Sequence, residues 1–197
     1  MMNLDKITKE EEKARNDRSY KLLLLFAMVS MTMMFAGLTS AFVVSKSRTD
    51  WLKDFHLPTA FFLSTLVIIC CSITFHLAKK AIQKDNRNAT TSFLLGTLAL
   101  GILFVILQFV GFRQVIDAGY FFTGSASSIT TTFLYVVTLT HLVHLSGGII
   151  SLLIIIYNHF KQKYNSTQTL GIELGVMYWH FLDLLWVYLF LFLYFFK

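Results

Sequence analysis

Five apolar runs, separated by short segments that gather the charges, set the layout of this chain. They cover residues 21–44, 59–78, 92–112, 132–157 and 174–196. At a rise of about 1.5 Å per residue, each is long enough to cross a hydrocarbon layer of about 30 Å as a helix. None shows the sustained polar–apolar alternation, over about ten residues, of a barrel strand. The pattern predicts an all-α polytopic membrane protein, a bundle of five transmembrane helices forming one domain over residues 21–197, preceded by an arm of residues 1–20.

The arm mixes Lys6, Lys9, Lys13, Arg15 and Arg18 with Glu10, Glu11, Glu12 and Asp17. It has neither the early apolar core of a secretory signal nor the acid-poor character of a mitochondrial presequence. An amphipathic or disordered segment at the membrane surface is expected. Pro58 suits the first turn of the second helix. The connection 114–131 is rich in Gly, Ser and Thr and reads as an exposed loop.

Composition supports the membrane class, with 55% hydrophobic and 14% charged residues among 197. The net charge of +6 does not point to nucleic acid, because the basic residues sit between the apolar runs. Lys6, Lys9, Lys13, Arg15, Arg18, Lys21, Lys79, Lys80, Lys84, Arg87, Lys161 and Lys163 fall on one side of a five-span topology. Lys46, Arg48, Lys53, Arg113 and Lys197 fall on the other. The positive-inside rule then places the N-terminus in the cytoplasm and the C-terminus outside. Cys70 and Cys71 are adjacent and imply neither a disulfide framework nor a zinc site.

Polar residues inside the runs are the candidates for chemistry, because ionisable groups are costly in lipid and face protein or water. The last run carries Glu173, His180 and Asp183 at i, i+7 and i+10, one stripe of a helix, with Trp179 and Trp186 on a neighbouring stripe. The fourth carries His141, His144, Gly148 and Ser151 on another stripe. Interhelical hydrogen bonding and close packing account for both. A haem or metal at His141 and His144 is the alternative, since i, i+3 histidines share a helix face. Hydropathy sets those two histidines nearer the outer surface and His180 with Asp183 nearer the inner one, so the two groups are not expected to form one cluster. Met28, Met31, Met33 and Met34 read as adaptable packing rather than copper ligands.

Gly171-x-Glu173 followed by Tyr178-Trp179-His180-Phe181-x-Asp183-x-x-Trp186 resembles the end of subunit III of the haem-copper oxidases. Thr140-His141-Leu142-Val143-His144-Leu145-Ser146-Gly147-Gly148 resembles that family's His-x-x-His-x-x-x-Gly helix, and the spacing between the two blocks also matches. Ser72-Ile73-Thr74 and Leu107-Gln108 are weaker echoes. The resemblance is to a short, five-helix form without the first two helices of seven-helix members. It implies an accessory subunit of a proton-pumping terminal oxidase in a bacterial cytoplasmic membrane. Such a subunit has no catalytic residue, cofactor or metal of its own; subunit I holds haems and copper, and subunit II lies in the same complex. It further implies direct packing on subunit I and phospholipid binding. An accessory subunit of a nitric oxide reductase, or an independent membrane cytochrome using His141 and His144, is the alternative reading.

Two departures shape that expectation. Where the family commonly has Ser-Glu early in this first span, the chain has Ser30-Met31; where it often has Gln-x-x-Glu in the third, Gln108 is followed by Gly111. Both buried carboxylates are replaced, so the resemblance implies structural support and lipid binding rather than proton gathering at those positions. On this reading His141, His144, Gly148, Glu173, Tyr178, Trp179, His180, Phe181, Asp183 and Trp186 are interhelical packing residues. Lys161 and Lys163 are placed to meet lipid headgroups.

Overall fold

The computed structural model describes residues 2–49, 51–52, 57–124, 127–165 and 168–196, with side chains described from residue 10 onward. Five long helices follow one another: α1 Met2–Val44, α2 Thr59–Gln83, α3 Arg87–Asp117, α4 Ile129–Phe160 and α5 Leu170–Phe196. All five contain stretches long and apolar enough to span a membrane. They are helical because in lipid only a helix or a closed barrel satisfies every backbone group internally.

The ends of the helices follow from local chemistry. Pro58 immediately precedes α2 with φ −56°, where its missing N–H leaves no helical bond unmade. Asp85, at φ 53°, turns the chain out of α2, and the Asn86 side chain then accepts the Ala89 N–H at 3.1 Å to cap α3. A reciprocal capping box between Ser128 and Thr131 starts α4. Gln162, at φ 56°, ends it.

Each helix runs past the apolar stretch that announced it. Residues 10–20 are not set apart from the first span, for α1 passes through them without a break. Glu, Lys, Arg and Ala are strong helix formers, so the water-side segments extend the spans instead of interrupting them. Similarly α3 continues to Asp117, leaving a connection of residues 118–128 shorter than the predicted one.

Helices α2 and α3 make the most extensive pair, while α5 packs on α1, α2 and α4. Close packing against α5 explains two of the glycines. At Gly148 a Cβ would stand 2.9 Å from Leu182 Cδ1, and at Gly101 it would stand 3.2 Å from the Trp179 ring. Small residues let helix backbones approach where lipid gives no hydrophobic drive to associate. The outward faces are apolar, with Phe26, Met33, Leu66, Phe109, Val143 and Leu184 exposed, as a lipid-facing surface requires.

Candidate functional site

The polar stripe of α5 faces two different helices. At its N-terminal end Glu173 accepts from Lys21 Nζ of α1 at 2.9 Å and from Thr169 Oγ1 at 2.8 Å. About two turns on, His180 Nδ1 bonds the Ser72 hydroxyl of α2, and the His76 ring lies 5.9 Å from the His180 ring, centroid to centroid. Asp183 is 5% exposed; neither carboxyl oxygen meets full hydrogen-bond geometry, but the Ser72 hydroxyl of α2 lies close enough to interact with it. The stripe therefore meets α1 at Glu173 and α2 at His180, where Ser72 stands between His180 and Asp183, and His180 and Asp183 do not satisfy each other.

A buried carboxyl without a well-formed hydrogen bond gives a direct prediction. Replacing it by an apolar group of similar size removes an unmet desolvation cost of about 1–3 kcal/mol. Asp183→Leu should therefore leave the chain as stable as the parent or more so, by thermal unfolding in detergent. A clear loss of stability in that variant would show that the carboxyl does hold the helices.

His141 and His144 are on α4 but in different surroundings. His141 is fully buried, with its ring 5.2 Å from Trp186, 6.2 Å from Phe104 and 6.5 Å from Phe35, and neither nitrogen is hydrogen-bonded. His144 Nδ1 bonds the Thr140 carbonyl one turn back at 2.7 Å. Tyr178 Oη donates to the His144 carbonyl at 3.1 Å. One imidazole is enclosed by aromatic rings and the other is tied to its own helix, so the two do not converge as a ligand pair. Among the described residues no three of His, Cys, Asp or Glu come together as metal ligands.

The Tyr178–His144 and Trp186–His141 contacts put the two histidine helices at one level. This corrects the depth read from hydropathy, because α4 begins at Ile129 and α5 at Leu170, each earlier than its apolar run. The groups still stay apart, separated by helix face rather than by height.

The tryptophans belong to the core and not to an interfacial belt. Trp186 is 1% exposed, donates Nε1–H to Thr65 Oγ1 at 3.0 Å, and meets Phe61 and Phe104 edge to face at 5.9 and 5.3 Å. Trp179 packs on Phe75 at 5.9 Å and covers Gly101 and Gly148. Phe181 is half-buried and lines an apolar groove with Phe35, Leu185 and Tyr188. Sequence reading gives no special weight to His159, bonded through Nε2 to Thr91 at 2.9 Å. The hydroxyls of Thr65 and Ser72 are expected from the sequence to bond within their helix or across to a neighbour, and both reach α5.

At the end of the bundle where α5 begins, a cavity of about 320 Å³ is lined by Lys13, Lys21, Lys163, Tyr164 and Glu173 among others. Burial pushes the Tyr164 phenol above its ordinary value, so it stays a neutral donor there. Lys161 instead lies over the Tyr157 ring, 4.8 Å from its centroid.

Fold and side chains together define a polytopic helical membrane protein, with several interior polar groups bonded from helix to helix. The family described as cytochrome c oxidase subunit III matches residues 14–197. The cytochrome c oxidase subunit 3 of Thermostichus vulcanus is 28% identical over 178 residues, covering 87% of this chain and 84% of that one. The Drosophila yakuba protein of the same name is 31% identical over 142 residues, 72% of this chain and 51% of its own. That of Spodoptera frugiperda is 30% identical over 142 residues, 72% and 90% respectively. The chain belongs to the cytochrome c oxidase subunit III family, whose members are accessory parts of an oxidoreductase complex. It spans about half the length of the Drosophila relative.

Proposed function

We propose that this chain is the non-catalytic subunit III of a proton-pumping haem-copper terminal oxidase, packing directly on subunit I within a complex that also holds subunit II. Haems and copper belong to those partners, and this chain contributes structural support and lipid contact in a bacterial cytoplasmic membrane. The observation carrying the reading is the family match over residues 14–197, which takes in the membrane-spanning part of every helix. His141 and His144 support it, each engaged in packing or in its own helix rather than presented to a ligand.

Lipid contact is supported at the α5 entry. The cavity, lined by Lys13 and Lys163 beside Asp17 and the Lys21–Glu173 pair, shares Tyr164 and Gly171 with a groove of about 860 Å³ that runs between α1, α4 and α5, past Leu24, Ile150 and Ile154. Cationic side chains above an apolar trench suit a phospholipid headgroup and its acyl chain. The excess of basic residues in the segments at that end supports a cytoplasmic location for it and for the N-terminus.

The test is purification through an affinity tag on this chain in mild detergent, with reduced-minus-oxidised spectra before and after the chain is stripped from its partners. Haem absorption should co-purify and then stay with the partners. Haem that follows this chain would make it a cytochrome and overturn the reading.

A further inference from the structure

The contact between α2 and α5 holds two histidines that the packing does not use up. His76 is exposed and His180 half-buried. Their rings lie 5.9 Å apart between centroids, with planes inclined by 42°, a separation that two imidazoles bridging one ion from adjacent helices can adopt. His180 is also oriented, because its Nδ1 is engaged by Ser72. With Nδ1–H donating to that hydroxyl, Nε2 carries the lone pair. A metal-binding histidine is normally held this way, its second nitrogen fixed by an outer partner that sets tautomer and ring angle.

We propose that His76 and His180 form a two-imidazole site for a borderline divalent transition ion, Zn²⁺ or Cu²⁺, with water completing the coordination. Imidazole suits these ions, whereas Mg²⁺ and Ca²⁺ require oxygen ligands. The absence of a third convergent His, Cys, Asp or Glu among the described residues makes it an open, exchangeable site. Lys79 follows His76 by three residues on α2, so neighbouring charge weakens binding of a dication without blocking the ligand atoms. Bound metal would tie α2 to α5 near one end of the bundle. The inference stands on this geometry and is independent of the oxidase reading.

The test is Cu²⁺ titration of the full chain in detergent, without a histidine tag and with a blocked N-terminal amine, read by electron paramagnetic resonance. One exchangeable ion per chain with hyperfine structure from two nitrogens is expected. His76→Gln should remove one nitrogen and weaken binding by more than the roughly 10–100-fold cost of losing an outer-shell partner, and Ser72→Ala should cost an amount within that range. His76 is exposed, so its variant keeps the fold and its result is interpretable. Zn²⁺ should raise the unfolding temperature of the parent and not of His76→Gln. Equal Cu²⁺ binding by the parent, His76→Gln and His180→Gln, or no ion bound by the parent, would overturn the proposal.

Discussion

Replacing Trp186 by alanine is expected to destabilise the bundle by about 3 kcal/mol. Truncating a buried tryptophan costs about 3–5 kcal/mol in soluble cores, and the lower end applies because lipid is as apolar as the interior, leaving mainly the lost contacts and the cavity. The ring lies where α2, α3 and α4 meet α5: Phe61 and Phe104 approach it edge-on and His141 is inclined to it by 37°. No single neighbour can fill the space, since each is held by its own helix. Trp186→Phe separates the terms, keeping an aromatic ring while losing the bond to Thr65. It should cost about 1 kcal/mol, because the Thr65 hydroxyl retains its bond to the Phe61 carbonyl at 2.8 Å. Unfolding of the detergent-solubilised chain, followed by near-ultraviolet circular dichroism, distinguishes the two. Equal stability of Trp186→Ala and parent would mean that the ring is not a packing centre.

How much of this is legible in the sequence depends on the length scale of the signal. Five spans are readable because an apolar run of about twenty residues matches the thickness of a bilayer and is too long for an ordinary core strand. Their ends are not, since helix propensity in Ala78–Gln83 or in the arm carries helices past the hydrophobic boundary. That error shifts the predicted depths of His141 and His180, which lie at one level. The grouping of Glu173, His180 and Asp183 on one stripe is readable from periodicity, but the partner of each is not. Ser72, rather than Asp183, engages His180 because a side chain three residues away along one helix competes with a hydroxyl presented from across the seam. Likewise, i, i+3 spacing suggests that His141 and His144 act together, yet one points among aromatic rings and the other back to Thr140. Spacing gives a shared face, and neighbouring helices decide what each residue meets there.

Gly111 carries this distinction furthest, because in the sequence it reads as a missing glutamate. Restoring that glutamate by Gly111→Glu is expected to prevent stable folding rather than to add a functional carboxylate. A Cβ at residue 111 would land on the Phe61 ring. Phe61 is fully buried and flanked by Phe112 at 6.3 Å and Trp186 at 5.9 Å, so the ring has little freedom to swing aside. Overpacking alone costs about 1–3 kcal/mol, and a buried carboxyl without a partner adds its own desolvation. Gly111→Ala isolates the steric part and should lower the unfolding temperature clearly. In a Phe61→Ala background the same change should cost almost nothing, the coupling expected of residues in direct contact. If Gly111→Ala is harmless beside an intact Phe61, the ring gives way and this seam is looser than it stands. If the double-mutant coupling holds, the glycine is a packing solution, with aromatic volume on α2 occupying the place a glutamate would take.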